Sequence, residues 1–348
     1  MSLIKHVGVA VLAISFTFLS DMSSIAQQVT PPSDASAKIY LDVDVTTAKG
    51  QPATDLAEKD FTLLDNKTQR PISSFTTIAG KEVPVEVVIV IDSVNTPYIN
   101  LGYQRDQIAK YLRSNDGVLP YSTTFAVLTD TKFELYNQST KNGMALADAL
   151  DKTDIGLRTI NRSQGFYGAS DRLGISLNGL RQLTAMEAKR PGRKLVLWVS
   201  PGWPLLSGPR VEMDHKQQDQ VFQNVISYST EMRKANITLY SVNSWGANES
   251  VGQAFYFESF VAGVKKPGDA QLGDLALQVL ATQSGGLVLN SSDVIGMMKQ
   301  CVADADRYYR ITFEPQPGDK PDEYHQIQVK VAEGGLVART RQGYYAQP

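Results

Sequence analysis

The sequence is poor in the residues on which most enzymes and metal sites depend. It has one cysteine, Cys301, and three histidines, His6, His215 and His325. An internal disulfide and a cysteine-based zinc site are therefore excluded. Basic and acidic residues nearly balance at 34 and 36, so the net charge of −2 gives no bulk attraction for nucleic acid. No phosphate loop, HExxH helix or EF-hand loop is present, and we expect a non-enzymatic protein that does not bind nucleic acid.

Residues 1–26 are typical of a secretory signal peptide. Lys5 precedes an apolar run at residues 7–19, and residues 24–26, Ser-Ile-Ala, fit the small-x-small cleavage pattern. The run is shorter than the roughly 20 residues that span a bilayer, which disfavours the alternative of an uncleaved membrane anchor. Residues 27–37 form a polar, proline-containing linker. The sequence thus predicts a protein exported to the periplasm or the extracellular space, with no stable membrane insertion after cleavage.

Two short β-rich segments, residues 38–82 and 309–348, flank the rest of the chain. Apolar and polar side chains alternate over residues 38–45, which predicts a half-buried strand. Further strands are predicted at 60–64, 72–78, 309–314, 324–331 and 336–344. The last two would form a hairpin around residues 333–335. Since each segment is small for a core of its own, we expect the two to pair into one small β-sandwich-like subdomain.

The middle segment, residues 83–308, has an α/β pattern. Strands are predicted at 84–92, 124–128, 194–200, 237–242 and 287–289, and helices at 100–112, 144–150, 170–188, 217–235, 272–283 and 294–308. This alternation predicts an α/β fold with a doubly wound, mostly parallel sheet, inserted into the β subdomain. Such sheets bind ligands at the carboxyl ends of their strands, which points to Asp92 and residues 200–202.

Four stretches of the sequence resemble the von Willebrand factor A (VWA) domain family. They are LDVDVTTAKGQPATDLAEKDFTLLDN, PVEVVIVIDSVNT, RPGRKLVLWVSPGWP and DRYYRITFEPQPG. The chain is most similar to the secreted bacterial VWFA-related proteins of the acidobacterial type, and the resemblance covers nearly all of the chain after the linker. It implies a VWA-like, Rossmann-like α/β domain.

The resemblance also implies a metal-ion-dependent adhesion site at the carboxyl edge of the sheet. In the family, an Asp-x-Ser-x-Ser motif, a Thr and a further Asp hold Mg²⁺, a hard cation that prefers oxygen ligands. Asp92 and Thr96 stand at the first and last positions of that motif, and Ser170 stands at the Thr. Val94 and Pro201 occupy the positions of two further ligands and supply no ligand oxygen. The implied site is therefore degenerate.

Two interpretations of this degenerate site are open. One is a partial Mg²⁺ site in which Asn95, Ser93 or Asp130 replaces a missing ligand. The other is a structural role for Asp92, whose carboxylate would cap a helix or accept hydrogen bonds from loop amides at the end of the strand.

Aromatic side chains follow the strands at the same edge. Trp203 comes soon after one predicted strand, and Phe255, Tyr256 and Phe257 lie in a loop of about 30 residues after another. Exposed rings there would form a partner-binding patch, to which Asn95 would contribute. The alternative is that the rings pack over the sheet and close the fold.

Together these patterns predict an exported, non-enzymatic protein-interaction module of the adhesion type. It would bind an unidentified protein partner through loops at the carboxyl edge of the VWA-like sheet. The alternative is a Mg²⁺-dependent adhesin that captures a carboxylate of its partner through a partial metal site at Asp92 and Thr96. An extracellular hydrolase is a third hypothesis, which the lack of a nucleophile–base pair disfavours. Fold resemblance supports function only by analogy.

Overall fold

The computed structural model describes residues 38–80, 84–136, 138–155, 165–206, 212–244 and 256–348. The predicted signal peptide and linker, residues 1–37, lie outside the described residues, as does Phe255. Among the helices of the described ranges, none is both long and apolar enough to cross a membrane.

The described residues form fifteen strands and six α-helices. The strands are β1 (Ile39–Thr47), β2 (Phe61–Asp65), β3 (Thr68–Arg70), β4 (Ser74–Ala79), β5 (Val85–Asp92), β6 (Val118–Leu128), β7 (Phe133–Leu135), β8 (Thr140–Asn142), β9 (Arg193–Val199), β10 (Ile237–Asn243), β11 (Val288–Asn290), β12 (Arg307–Phe313), β13 (Glu323–Val331), β14 (Leu336–Arg339) and β15 (Gly343–Ala346). The helices are α1 (Tyr98–Arg113), α2 (Gly143–Lys152), α3 (Gly165–Glu187), α4 (His215–Lys234), α5 (Leu277–Gln283) and α6 (Val294–Ala303).

A seven-stranded sheet forms the middle of the fold, in the order β11-β10-β9-β5-β6-β7, with β8 also pairing with β6. The strands β11, β10, β9, β5 and β6 run parallel to one another, whereas β7 and β8 run antiparallel to β6. The structure therefore confirms a mixed α/β fold built on a mostly parallel sheet.

Both faces of this sheet are covered, which explains why its strands are almost continuously apolar. Val88 and Val90 of β5 face a core that includes residues of α3, α4 and α5. Val87 and Ile89 point the opposite way, into a core shared with α1, α2 and α6. A strand in this position buries every side chain along most of its length, and β5 therefore reads as an apolar run rather than as an alternating pattern.

Two four-stranded antiparallel sheets flank the central one, in the orders β14-β1-β12-β4 and β15-β13-β2-β3. Strands from the two ends of the chain pair directly: Leu41 lies opposite Ile311, and Leu63 lies opposite Val329. All four side chains belong to one buried apolar core, which the two sheets enclose together. Burial of this core requires both ends of the chain.

The predicted hairpin of residues 324–331 with 336–344 is wrong. Its second half divides into β14, which pairs with β1, and β15, which pairs with β13 in the other sheet. Residues 340–342 carry the chain between the sheets. Thr340 donates a hydrogen bond to the carbonyl of Asp42 on β1, and the amide of Ile327 on β13 donates to the carbonyl of Gln342.

Helix ends also differ from the prediction. The last predicted helix, 294–308, ends at Ala303, and Tyr308 belongs to β12. Tyr308 packs into the same core as α6. Its buried side chain therefore extends the apolar pattern of the helix, although residue 308 is in a strand. The predicted helix 272–283 divides into a short 3₁₀ helix, Leu272–Leu275, and α5.

Candidate functional site

The candidate site lies at the carboxyl edge, by which we mean the end of the central sheet where β5, β9 and β10 terminate. Asp92 is the last residue of β5 and is fully buried. Trp198 on β9 lies in register with Val90, two residues before Asp92. Because side chains alternate along a strand, Trp198 and Asp92 lie on the same face of the sheet and come into contact there.

Neutral N–H groups of the protein occupy both oxygens of the Asp92 carboxyl group. Oδ2 accepts hydrogen bonds from Nε1 of Trp198 and from Nδ2 of Asn95, each at 2.8 Å. Oδ1 accepts from the backbone N–H of Asn95 at 2.9 Å. Burial raises the pKa of Asp92, and the hydrogen bonds from Trp198, Asn95 and the backbone of Val94 oppose that rise only in part.

Asn95 links this strand end to helix α3. Its Nδ2 also donates to Oγ of Ser176 at 2.8 Å, and Ser176 donates in turn to the carbonyl of Arg172. Two buried oxygens of the loop, Oδ1 of Asn95 and Oγ1 of Thr96, have no hydrogen-bond partner within the described ranges. The loop after β5 is thus held from two sides and retains two unused acceptors.

The donor set does not fit the implied Mg²⁺ site. Its one carboxyl group, that of Asp92, faces N–H donors, which occupy the lone pairs that a cation would need. Val94 is buried in the same apolar core as Trp198. Ser170 is exposed and lies inside α3 rather than before it, and the serine that reaches the network is Ser176. The described residues contain no group of three His, Cys, Asp or Glu side chains suited to a metal ion.

Two other positions considered for the metal site are Ser93, a candidate replacement ligand, and Pro201, which stands where a ligand of the family is missing. Ser93 is buried, and its hydroxyl donates to the carbonyl of Leu128 at 2.8 Å. Pro201 follows β9 and is only partly exposed.

Two of the residues predicted to contact a partner are buried instead. Trp203 is 4% exposed and stands edge-on to Trp198, with 5.1 Å between the ring centroids. Asn95 is buried, and its amide serves the Asp92 network. Neither side chain is accessible to a partner in this structure, so the prediction of an exposed Trp203 is wrong. The ring has folded back onto the sheet, as the alternative interpretation of the aromatic residues expects.

The aromatic segment after β10 is intermediate between the two interpretations. Tyr256 and Phe257 belong to a 3₁₀ helix, Tyr256–Phe260. Phe257 is half-buried against a small apolar cluster of Phe260, Ala276 and Val279. Tyr256 is 44% exposed and packs edge-on to Phe260. Of the predicted partner-binding residues that the structure describes, Tyr256 offers the most accessible ring.

Sequence reasoning missed a different exposed apolar surface at the same edge. We call it the α1 patch: Tyr98, Ile99 and Tyr103, in the first two turns of α1. Tyr98 is 71% exposed and Ile99 is 85% exposed. The signal was present in the sequence, because Ile99 and Tyr103 are four residues apart and lie off the helix face that buries Leu101 and Ile108.

Comparisons with known proteins give only distant likeness. No family model matches the chain, and no curated protein matches it. Among solved structures, the chain is similar to the manganese-loaded TRAP protein of Plasmodium vivax, with 8% identity, 80% of this chain and 98% of that chain covered, and a TM-score of 0.34. It is also similar to the human COPII-coat protein Sec24c, with 8% identity, 87% of this chain and 48% of that chain covered, and a TM-score of 0.32.

Proposed function

We propose that this protein is an exported, non-enzymatic protein-interaction module of the adhesion type with a VWA-like fold. It binds a protein partner through the carboxyl edge of its central sheet. The observation that carries the proposal is the α1 patch, in which Tyr98 and Ile99 expose most of their side chains at the edge where sheets of this kind bind their ligands. Large apolar side chains that stay exposed side by side mark interaction surfaces.

The network behind the patch supports this role. The loop that leads from Asp92 into α1 is fastened at Asn95 by bonds to Asp92 and to Ser176 on α3. It is fastened at Ser93 by the bond to Leu128 on β6. These bonds tie the loop that precedes the first turn of α1 to β5, β6 and α3. A surface that is already ordered loses less conformational entropy on binding, which leaves more of the contact energy for affinity.

The state of the thiol and of one imidazole supports a non-enzymatic role. Cys301 is fully buried, and burial raises the pKa of its thiol well above the ordinary value, which opposes formation of the nucleophilic thiolate. His325 is buried in the β-sandwich, where Nδ1 lies 2.8 Å from Oδ1 of Asp65. Neither group reaches the carboxyl edge.

Mg²⁺-dependent capture is the second candidate, and one observation favours it. Oδ1 of Asn95 and Oγ1 of Thr96 are buried oxygens without a partner in the described part of the chain, and both belong to the loop that follows Asp92. A cation could use them only if the hydrogen bonds from Trp198 and Asn95 to Asp92 were broken. That requirement makes metal-free binding through the α1 patch the favoured function.

A capture experiment separates the two candidates. The mature protein is immobilised and exposed to envelope and extracellular fractions of the source cells, in Mg²⁺ and in EDTA. The variants are Tyr98→Ser/Ile99→Ser and Val118→Ser. Val118 is a matched control, because it is 66% exposed but begins β6 and so lies at the opposite edge of the sheet.

We expect a protein that is captured equally in Mg²⁺ and EDTA, lost with Tyr98→Ser/Ile99→Ser and kept with Val118→Ser. Capture that EDTA abolishes would favour the Mg²⁺-dependent alternative. Capture that survives the double substitution would contradict the α1 patch as the binding surface.

A further inference from the structure

A second candidate binding site lies where the β-sandwich meets the α/β part of the fold. It is a cleft of about 510 Å³, bounded by β1 and the loop after it, by β14 and by helix α6. We call it the basic cleft. Its lining residues include Asp44, Lys49, Lys299, Asp304, Arg307 and Arg339. Its volume falls in the range of roughly 300 to 1,000 Å³ that is usual for small-molecule sites.

The floor of the basic cleft is a buried network of balanced charge. The guanidinium of Arg193 donates to both oxygens of Asp44, at 2.9 and 2.8 Å. Arg339 donates to Asp304 at 2.6 Å, and Tyr240 donates to the same oxygen at 2.6 Å. Because each buried carboxylate has its own guanidinium, the floor places little net negative charge against an incoming anion.

The rim of the basic cleft carries cations that are not balanced. Lys49 comes from the loop after β1, Lys299 from α6 and Arg307 from the start of β12. Within the described residues, the side chains of these three residues take part in no hydrogen bond or ion pair. Three separate segments of the chain thus direct positive charge to one concave surface. Cations gathered on a concave surface raise the local concentration of anions from solution.

We propose that the basic cleft binds a small, multiply charged oxyanion, held by Lys49, Lys299 and Arg307 at the rim. Arginine and lysine side chains are the usual partners of phosphate and carboxylate oxygens, and the fork of an arginine can take two such oxygens at once. A single carboxylate would leave at least one rim cation unpaired. The chemistry therefore favours a ligand with two or more anionic groups, either phosphates or carboxylates.

Isothermal titration calorimetry at physiological ionic strength tests the proposal, with inorganic pyrophosphate and citrate as the two probes. The main variant is Lys299→Gln/Arg307→Gln, and Lys49→Gln is a second, single substitution in case the first unfolds. A thermal unfolding midpoint checks the fold of each variant.

The chain offers a matched control in a second concave surface, the lysine groove. It has a volume of about 390 Å³ and is lined by Lys67, Lys265 and Lys320 together with Glu323. The control variant Lys67→Gln/Lys265→Gln removes two positive charges, as the main variant does, but from a different surface. Both side chains that it replaces are exposed, so the control variant should fold.

We expect the wild type to bind at least one probe. The main variant should bind that probe at least about tenfold more weakly, because it lacks two charge-assisted hydrogen bonds. The control should bind as the wild type does. The preferred probe then identifies phosphate or carboxylate as the ligand chemistry. Absence of binding of both probes at millimolar concentration would overturn the proposal. Equal weakening in the control would also overturn it, since bulk charge would then be the cause.

Discussion

The indole N–H of Trp198 donates a hydrogen bond to Oδ2 of Asp92 across 2.8 Å, between two neighbouring parallel strands. Because of this bond, the carboxyl group at the end of β5 points into the protein, towards the Trp198 ring. The carboxyl group that the sequence offers as a ligand for a cation is instead an acceptor for neutral donors. It fixes the loop on which the proposed binding surface depends.

Replacing each of the two tryptophans that pack edge-on, Trp198 and Trp203, by phenylalanine should separate the effect of this bond from that of packing. Trp198→Phe removes a donor to Asp92 as well as part of a ring, whereas Nε1 of Trp203 is buried without a hydrogen-bond partner among the described residues. Both variants lose similar apolar volume. We expect Trp198→Phe to lower the free energy of unfolding by about 1–3 kcal/mol more than Trp203→Phe, because Oδ2 of buried Asp92 loses one of its two donors and keeps only Asn95. Urea unfolding of both measures this. Equal losses would mean that the bond to Asp92 contributes nothing.

Two adjacent tyrosines in β15 give a second matched pair. The hydroxyl of Tyr344 donates to Oδ2 of buried Asp65 at 2.8 Å, and that of Tyr345 donates to the carbonyl of Val264 at 3.1 Å. Burial and the hydrogen bond to Asp65 raise the pKa of Tyr344 far above its ordinary value. Since bonds to charged groups contribute more than bonds to neutral ones, Tyr344→Phe should cost about 1.5–3 kcal/mol and Tyr345→Phe about 0.5–1.5 kcal/mol. Chemical denaturation ranks them, and the reverse order would contradict a stronger hydrogen bond at Tyr344 than at Tyr345.

Asp274 should make stability fall as pH rises from about 4 to about 6. Burial raises its pKa from 3.8 to about 6, against a bond from the backbone N–H of Gln271 that lowers it. The folded state therefore binds the proton more tightly than the unfolded state. Stability from this group is present below pH 4 and is lost as the pH passes 6, by up to about 3 kcal/mol.

The neutral variant Asp274→Asn removes this titration. Its free energy of unfolding, relative to the wild type, should rise between pH 4 and pH 7 in a urea series. A difference that does not change with pH would contradict the raised pKa of Asp274.

Gly192, in the turn before β9, should not tolerate a side chain. Its φ is +86°, and a Cβ would lie 2.0 Å from the carbonyl oxygen of Pro84, which accepts the bond from the Arg193 N–H. Gly50 has a similar φ of +76° but open space around it. We expect Gly50→Ala to cost about 1–2 kcal/mol for the backbone conformation alone, and Gly192→Ala about 3 kcal/mol or more with the steric clash added. Thermal unfolding of both tests this, and similar midpoints would rule out the clash.

Local sequence patterns predict the elements whose burial is uniform. Strand β5 and strand β9 are buried on both faces, and their apolar runs predict them nearly residue for residue. Of the four three-residue strands among the described residues, β3, β7 and β8 are too short to show a period and were not predicted, whereas the apolar run at 287–289 predicted β11. Local patterns also do not predict which strands pair with each other. Residues 333–335 do form a turn, yet β14 pairs with β1, almost 300 positions earlier.

The candidate site was predictable in position but not in composition. The end of an apolar strand identifies Asp92, because polar residues that follow such strands collect at one edge. Ser176 could not be predicted, since its contact with Asn95 depends on how α3 packs against the loop. The error at Trp203 has the same origin. Nothing near it in the sequence indicates that Trp198 provides the surface onto which the ring folds.

The pairing of early strands with late ones has a consequence during synthesis. Strand β1 pairs with β12 and β14, and β2 pairs with β13, so these partners leave the ribosome long after β1 and β2. The parallel strands β5, β6, β9 and β10 can assemble before that point, whereas the sandwich must wait for strands β12 to β15. A nascent chain halted before residue 307 would expose both edges of β1. Unpaired strand edges of this kind bind chaperones and promote aggregation with other chains.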